Sequence, residues 1–296
     1  RRMLNNDAGS HDSESTKGTP TRKPSGRIYR IGTALIVIVV VVCVWWFAYQ
    51  RPHNKAVSDF NASTASVQAK NTELDIALAR IGKLTKLNSK PLDSQTLLNA
   101  KHSIAAAKRQ ERSIGKIPSK TADIEARTIE LGRPLNYDAA IADLDKHRTA
   151  LDTSLRQMKQ VTNPTADFVV SRLKGVPSVE NPSPVTMTHD PNGNLNKPRS
   201  YVAAIYFASP EVDHSVFDTA DVIDNGTDGG GQIEVYKTAA DVQKRNTYLS
   251  AFDGGGMMDS GSHVVLGTML IRTSRYLNAD QQAALTAAIR SALIRL

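Results

Sequence analysis

The chain contains 296 residues, of which 40% are hydrophobic and 22% are charged, and its formal net charge is +8. This length is sufficient for one or two domains with hydrophobic cores. The single cysteine, Cys43, excludes a framework of intramolecular disulfide bonds, so packing alone has to stabilise the fold.

An apolar run without a charged residue extends over residues 31–48 and lies between Arg30 and Arg51. A hydrocarbon core about 30 Å thick requires about 20 apolar residues in a helix. The run has no polar face, although a surface helix of a soluble protein normally shows one. The run therefore predicts a transmembrane helix over residues 31–49.

The distribution of Lys and Arg around this helix predicts its orientation. Residues 1–30 contain seven Lys and Arg, whereas residues 49–70 contain three. The positive-inside rule thus predicts a cytoplasmic N-terminus and an extracytoplasmic C-terminal part, and Trp45 and Trp46 fit an aromatic belt at the outer interface. A cleaved signal peptide is the alternative, but bulky residues at 44–47 occupy the place where cleavage requires small ones.

Charge and composition divide the rest of the chain. Residues 1–30 have few apolar side chains and are expected to form a disordered cytoplasmic tail. Residues 49–160 hold nineteen cationic and twelve anionic side chains, a net charge of +7, whereas residues 161–296 hold eleven and fourteen, a net charge of −3. Export argues against nucleic acid and favours the lipid bilayer, anionic envelope polymers such as teichoic acids, or another membrane protein as partners. Alternatively, these charges only solvate helix surfaces.

Residues 53–161 are predicted to form a coiled-coil-like helical stalk. Residues of its first helix recur at alternating spacings of three and four, which is the pattern of a helix packed against another helix. This seam consists of Val57, Phe60, Thr64, Val67, Asn71, Leu74, Leu78 and Ile81. Thr64 and Asn71, the two polar members of the seam, can fix the alignment of the packed helices. Helices over about 93–116, over 119–132 and from Asn136 onward complete an antiparallel hairpin or bundle.

Residues 163–296 are predicted to form an α+β domain with the element order α-β-β-β-α-β-α. Its strands are expected over residues 185–188, 201–207, 232–236 and 264–273. Thr238 and Asn278 are expected to cap the two later helices. A mixed or antiparallel sheet with helices on one face is the simplest packing of these elements.

Several strings in this domain carry a resemblance to known proteins. They are Thr-His-Asp-Pro-Asn-Gly-Asn-Leu-Asn-Lys at 188–197, Tyr201 with Ile-Tyr-Phe at 205–207, Gly-Thr-Asp-Gly-Gly-Gly-Gln-Ile-Glu-Val-Tyr at 226–236, Lys-Arg-Asn-Thr-Tyr-Leu at 244–249 and Ser-Gly-Ser-His at 260–263. Over about residues 163–296 the chain resembles a group of uncharacterised single-pass membrane-anchored ectodomain proteins of Gram-positive bacteria. The resemblance implies an envelope location and a shared fold, and no established activity comes with it.

One loop of the α+β domain is a candidate cation site. Asp190, Asn192 and Asn194 alternate along it, and their oxygens are ligands of the kind that Ca²⁺ prefers. The spacing departs from an EF-hand, which requires Gly at its sixth position and Glu at its twelfth. Because Asp, Pro, Asn and Gly also form tight turns, turn chemistry is the alternative. Acidic residues that could complete the site are Glu211, Asp213, Asp218, Asp221, Asp224 and Asp228.

Patterns typical of enzymes are weak in this sequence. The two Asp-Gly-Gly-Gly strings, at 228–231 and 253–256, lack the Gly-Lys-Ser/Thr of a phosphate loop. Ser260 and His263 lack the Gly-x-Ser-x-Gly elbow of a hydrolase. No catalytic residue and no cofactor apart from Ca²⁺ is therefore predicted. The leading hypothesis is a non-enzymatic binding or scaffold protein of the envelope; a ligand- or cation-sensing module is second, and a hydrolase of envelope material is third.

Overall fold

The computed structural model describes residues 26–254 and 259–296. Most of the tail that was predicted to be disordered, residues 1–30, lies outside these ranges. Its last five residues belong to the first helix, which begins at Gly26. The helices are α1 (Gly26–Trp45), α2 (Arg51–Thr85), α3 (Ser94–Gln110), α4 (Thr121–Leu131), α5 (Asp138–Gln160), α6 (Ala166–Leu173), α7 (Ala239–Ser250) and α8 (Ala279–Ile294). The strands are β1 (Glu180–Pro184), β2 (Ala203–Ala208), β3 (Gly230–Val235), β4 (His263–Leu266) and β5 (Met269–Thr273). The protein is therefore α+β, as predicted.

The apolar run forms part of one long helix. A π-helical turn at Trp46–Gln50 joins α1 to α2, so that helix continues without a break from the apolar run to Thr85. Side chains along the run are exposed, for example Leu35 (59%) and Phe47 (61%). By length and composition this helix can cross a membrane.

The chain divides into two compact units. The first contains the residues up to Ser66 together with Ile114–Arg133. In it, Phe60 of α2 is buried and so is Ile124 of α4, while the imidazole of His53 is 2.9 Å from the Thr121 hydroxyl. The second unit contains Val67–Ser113 and Pro134–Leu296. The point near residue 162 where the sequence separates the predicted stalk from the α+β domain lies inside the second unit.

In the second unit, the later part of α2 shares a hydrophobic core with α3 and α5. Five of its fully buried members are Leu74, Ile81, Ala100, Leu144 and Leu151. Buried Asn71 receives a hydrogen bond from the Tyr137 hydroxyl at 2.9 Å and donates one to the Arg112 carbonyl, also at 2.9 Å. The Arg112 amide in turn donates to the Tyr137 hydroxyl at 2.7 Å. Because these tertiary bonds engage the backbone at residue 112, α3 ends at Gln110 rather than near 116 as predicted.

The sheet has five antiparallel strands in the order β1-β2-β3-β5-β4. Two strand predictions were wrong. The first strand lies at β1 rather than at 185–188, where Thr186 and His189 instead close a tight turn. The segment 264–273 is a hairpin of β4 and β5, because Gly267 adopts a positive φ of 63° at the turn and a side chain there would overlap the Val161 carbonyl.

Both faces of the sheet are covered, although the sequence predicted helices on one face only. The first face packs on α6 and α8, with Ile205, Phe207 and Ile233 fully buried. The second face packs on α7 through Val242 and Leu249. The helix caps follow the prediction: the Thr238 hydroxyl accepts from the Asp241 amide at 3.1 Å, and Asn278 forms a capping box with Gln281. The second face carries the polar residues described next.

Candidate functional site

The loop that contains Asp190 is held together by this carboxylate. One oxygen accepts hydrogen bonds from the amides of Asn194 and Leu195 at 2.7 and 2.8 Å, and the other accepts from the Asn192 amide at 3.2 Å. The Tyr201 hydroxyl lies 2.7–2.8 Å from both oxygens. Burial alone would raise the pKa of Asp190, but the hydrogen bonds from Tyr201 and the three amides outweigh it and lower that pKa. Asp190 therefore stays ionised and organises the loop.

The three predicted Ca²⁺ ligands do not all point their side chains at one place. The Asn192 side chain donates through Nδ2 to the Tyr206 hydroxyl at 2.9 Å, so it faces the sheet. Asn194 approaches Asp190 through its backbone amide. Burial raises the pKa of the Tyr206 hydroxyl, which accepts the bond from Asn192, to about 12. A Ca²⁺ ion at this loop would have to replace hydrogen bonds that Asp190 already accepts. The Ca²⁺ site at Asp190, Asn192 and Asn194 stays a prediction.

His189, which directly precedes this loop, belongs to a second group of side chains of the types that ligate metals. Ligand atoms of His189, Asp221 and Asp224 are all within 4.8 Å of one another. The His189 Nε2 atom is 2.8 Å from an Asp224 oxygen, and that hydrogen bond raises the pKa of His189. One Asp221 oxygen accepts from the amides of Ile223 and Asp224, which positions the carboxylate. One imidazole and two carboxylates form a donor set that suits Mn²⁺ or Zn²⁺ better than Ca²⁺.

Sequence reasoning named Asp221 and Asp224 as residues that could complete a cation site, but it did not pair them with His189. His189 lies more than 30 positions before both carboxylates, so no local spacing reveals the group. His214 and His263 lie outside this group: the His214 imidazole is 2.9 Å from the Ser209 carbonyl, and the His263 imidazole is 2.8 Å from the Asn246 side-chain oxygen.

The serine and histidine considered for hydrolysis do not form a catalytic pair in this structure. His263 Nε2 lies 3.0 Å from an oxygen of Asp253, and the Ser260 hydroxyl donates to the same oxygen at 3.3 Å. A serine nucleophile requires a hydrogen bond to its histidine base, with the carboxylate on the far side of the imidazole. Here the carboxylate stands between the two groups, so the arrangement favours a structural role.

A buried ionic cluster lies on the second face of the sheet. The Glu234 carboxylate is fully buried and accepts two hydrogen bonds from Arg245, at 3.1 and 3.2 Å, and one from Arg272 at 3.2 Å. The Tyr236 hydroxyl donates to it at 2.6 Å. Burial, followed by the Glu234 charge, raises the pKa of Tyr236. We call these four residues the Glu234 cluster. All carboxylate lone pairs are engaged by groups of the protein, so removal of one charged partner would leave the others buried without compensation.

Two of the clefts within the described residues open at the surface of the sheet region. One of about 280 Å³ lies beside Asp190 and is lined also by Met187, Gly193 and Lys197. The other, of about 460 Å³, is lined by Glu180, Asn181, Ala208, His214, Phe217, Asp218, Thr219, Ala220, Val222 and Asn225. His214 and Asp218 line the larger cleft, whereas Asp190, Asn192 and His263 do not, so most candidate residues of the sequence analysis lie outside it.

Comparisons of the chain with family models, with curated proteins and with solved structures found no match. The functional proposal therefore depends on the residues and their geometry.

Proposed function

We propose that this chain is a membrane-anchored, N-in protein whose extracytoplasmic part has a non-enzymatic binding or scaffold role at the cell envelope. The observation that carries the proposal is the continuous helix from the apolar run into α2. Cleavage after the run, as in a signal peptide, would cut inside this helix, only a few residues before buried Ala56 and Phe60. The run therefore acts as an uncleaved anchor, and the Lys and Arg before it keep the N-terminus in the cytoplasm.

The polar groups of the sheet region support a non-enzymatic role. Asp190 organises a loop, Glu234 holds two arginines, and Asp253 separates Ser260 from His263. Each of these carboxylates is engaged by donors of the protein itself. The partners that we propose are the lipid bilayer for the apolar helix, and an anionic envelope polymer or another membrane protein for the extracytoplasmic part. The resemblance to envelope ectodomain proteins of Gram-positive bacteria implies the same location.

Protease treatment of intact cells tests this proposal. A tag fused after Leu296 is expected to be removed by external protease, while a tag fused before Arg1 is expected to survive until the cells are lysed. N-terminal sequencing of the membrane fraction is expected to find no polypeptide that starts just after Tyr49. A protected C-terminal tag, or a mature chain beginning beyond Tyr49, would contradict the proposal.

A cation-sensing module is the second candidate function, and the proximity of His189, Asp221 and Asp224 favours it. Titration of the full chain in detergent with Mn²⁺, Zn²⁺ and Ca²⁺, followed by calorimetry, tests it. Binding that is lost in Asp224→Asn but kept in Asp218→Asn, an exposed carboxylate of the same connection between β2 and β3, would support this function. No heat and no change in melting temperature at millimolar cation would remove both this site and the Ca²⁺ site predicted at Asp190.

A further inference from the structure

Residues 80–109, here called the basic segment, contain the end of α2, the turn after it and nearly all of α3. The segment holds seven Lys and Arg and a single Asp, so its net charge is +6 over thirty residues. The seven cations are Arg80, Lys83, Lys86, Lys90, Lys101, Lys108 and Arg109. The charge density of this segment is far above that of the chain as a whole, which carries +8 over 296 residues.

These cations are not neutralised by the protein. All seven are exposed, and within residues 26–254 and 259–296 none of their side chains has an ion pair or a hydrogen-bond partner. The single carboxylate, Asp93, accepts from the Gln95 amide at 2.9 Å as the cap of α3. Nearer the start of α2, two lysines are paired with carboxylates of the same helix: Lys55 with Asp59 at 2.6 Å and Lys70 with Glu73 at 2.9 Å. Apart from Arg80, the cations of the basic segment therefore present a positive potential that ion pairs of the fold leave uncompensated.

The arrangement of the cations indicates the kind of partner. Lys101 and Lys108 are seven residues apart on one face of α3, while Arg109 lies about 100° further around that helix. Lys86 and Lys90 lie in the turn, outside both helices. A flat surface contacts one side of such a segment, whereas a flexible chain with regularly spaced anions can follow cations on several sides.

We propose that the basic segment binds an anionic phosphodiester polymer of the cell envelope. The inference rests on the extracytoplasmic location proposed above, because such a polymer is met only there. Each ammonium group binds one phosphate as a point charge, and each contact releases a counterion from the polymer, so the affinity falls with increasing salt. Arg80 is the least available of the seven cations, because it shares a groove with the carboxylates of Asp138 and Asp145.

Binding of synthetic poly(glycerol phosphate) to the full chain in neutral-lipid nanodiscs tests the proposal. In the test variant, Lys86, Lys90, Lys101 and Lys108 are changed to Gln. The matched control changes four exposed lysines outside the segment to Gln, namely Lys174, Lys197, Lys237 and Lys244. At about 0.7 counterions per phosphate contact, the test variant is expected to lower the slope of log affinity against log salt by about 3. Its affinity at 0.15 M salt is expected to fall about tenfold or more, and the control is expected to change little.

Three outcomes would overturn the proposal: no binding by the unmodified chain, equal losses in the two quadruple variants, or binding to vesicles of anionic lipid with none to the polymer. Equal melting temperatures of the two variants exclude unfolding as the cause of a loss. The assay uses purified components, so it is independent of topology. Binding in this assay together with a protease-protected C-terminus in cells would leave the basic surface intact and reject the proposed location.

Discussion

Changing Glu234 to Gln is the most informative test of the fold. The change keeps the shape of the side chain and removes its charge from a fully buried position. Arg245 and Arg272 would then lose their counter-charge, while their side chains are only 25% and 11% exposed. Two guanidinium groups would thus remain in the second face of the sheet, held by a neutral amide that has one acceptor oxygen instead of two.

The expected loss follows from this geometry. Removal of one partner from a buried ion pair costs about 3–5 kcal/mol, because the remaining charge is desolvated without compensation. Since Arg245 retains some contact with water, we expect a value near the lower limit, about 3 kcal/mol. A loss of this size is a large part of the 5–15 kcal/mol that typically stabilises a folded domain. Replacing Glu234, Arg245 and Arg272 together by Met is expected to cost less than the single change, because no charge stays buried.

The assay is a urea titration of the full chain in mild detergent, with the folded fraction of the sheet region measured by pulse proteolysis. Tryptophan fluorescence is unsuitable, because both tryptophans, Trp45 and Trp46, lie in the apolar helix. Glu180→Gln makes the same chemical change at an exposed position of β1, and it is expected to alter stability by less than about 0.5 kcal/mol. A loss below about 1 kcal/mol in Glu234→Gln would show that the Glu234 charge is not what holds the two buried arginines.

Three further predictions concern single residues. Gly231→Ala would place a methyl group against the Phe207 ring and a backbone carbonyl. We therefore expect it to lower the free energy of unfolding by about 1–3 kcal/mol in the same urea assay. The control, Gly82→Ala, has open space around it in α2 and is expected to be neutral or stabilising. Asp190→Asn is expected to lower the free energy of unfolding by about 1–3 kcal/mol and to speed hydrogen exchange in its loop. The pKa of Asp190 is lowered in the folded state, so the carboxylate contributes its full stabilisation at pH values above the ordinary carboxyl pKa. This stabilisation disappears as the pH falls through the lowered pKa of the folded state. The pKa of His189 is raised in the folded state, so its stabilisation of the fold is complete below pH 6.5 and disappears as the pH rises through the folded-state pKa. An NMR titration of the imidazole is expected to show this raised pKa, and Asp224→Asn is expected to remove the shift.

Local signals explain which elements the sequence predicted. The apolar run, the start of α3 near residue 93 and the cap at Asn278 depend on residues a few positions apart. Their geometry is therefore written in consecutive residues. The end of α3 was missed because Asn71 and Tyr137 bind the backbone at residue 112, and these partners are 41 and 25 residues away in the chain.

The candidate sites show the same division between local and tertiary information. The sequence by itself determined that one helix is apolar enough for a bilayer and that positive charge is concentrated before residue 110, since both are properties of composition. Only the tertiary structure decided that Asp190 is engaged by its own loop, that His189 meets Asp221 and Asp224, and that Glu234 is buried between two arginines. The physical reason is that hydrogen bonds and ion pairs depend on distances of about 3 Å between side chains. Such distances between residues far apart in the chain arise only when the sheet and its covering helices pack together.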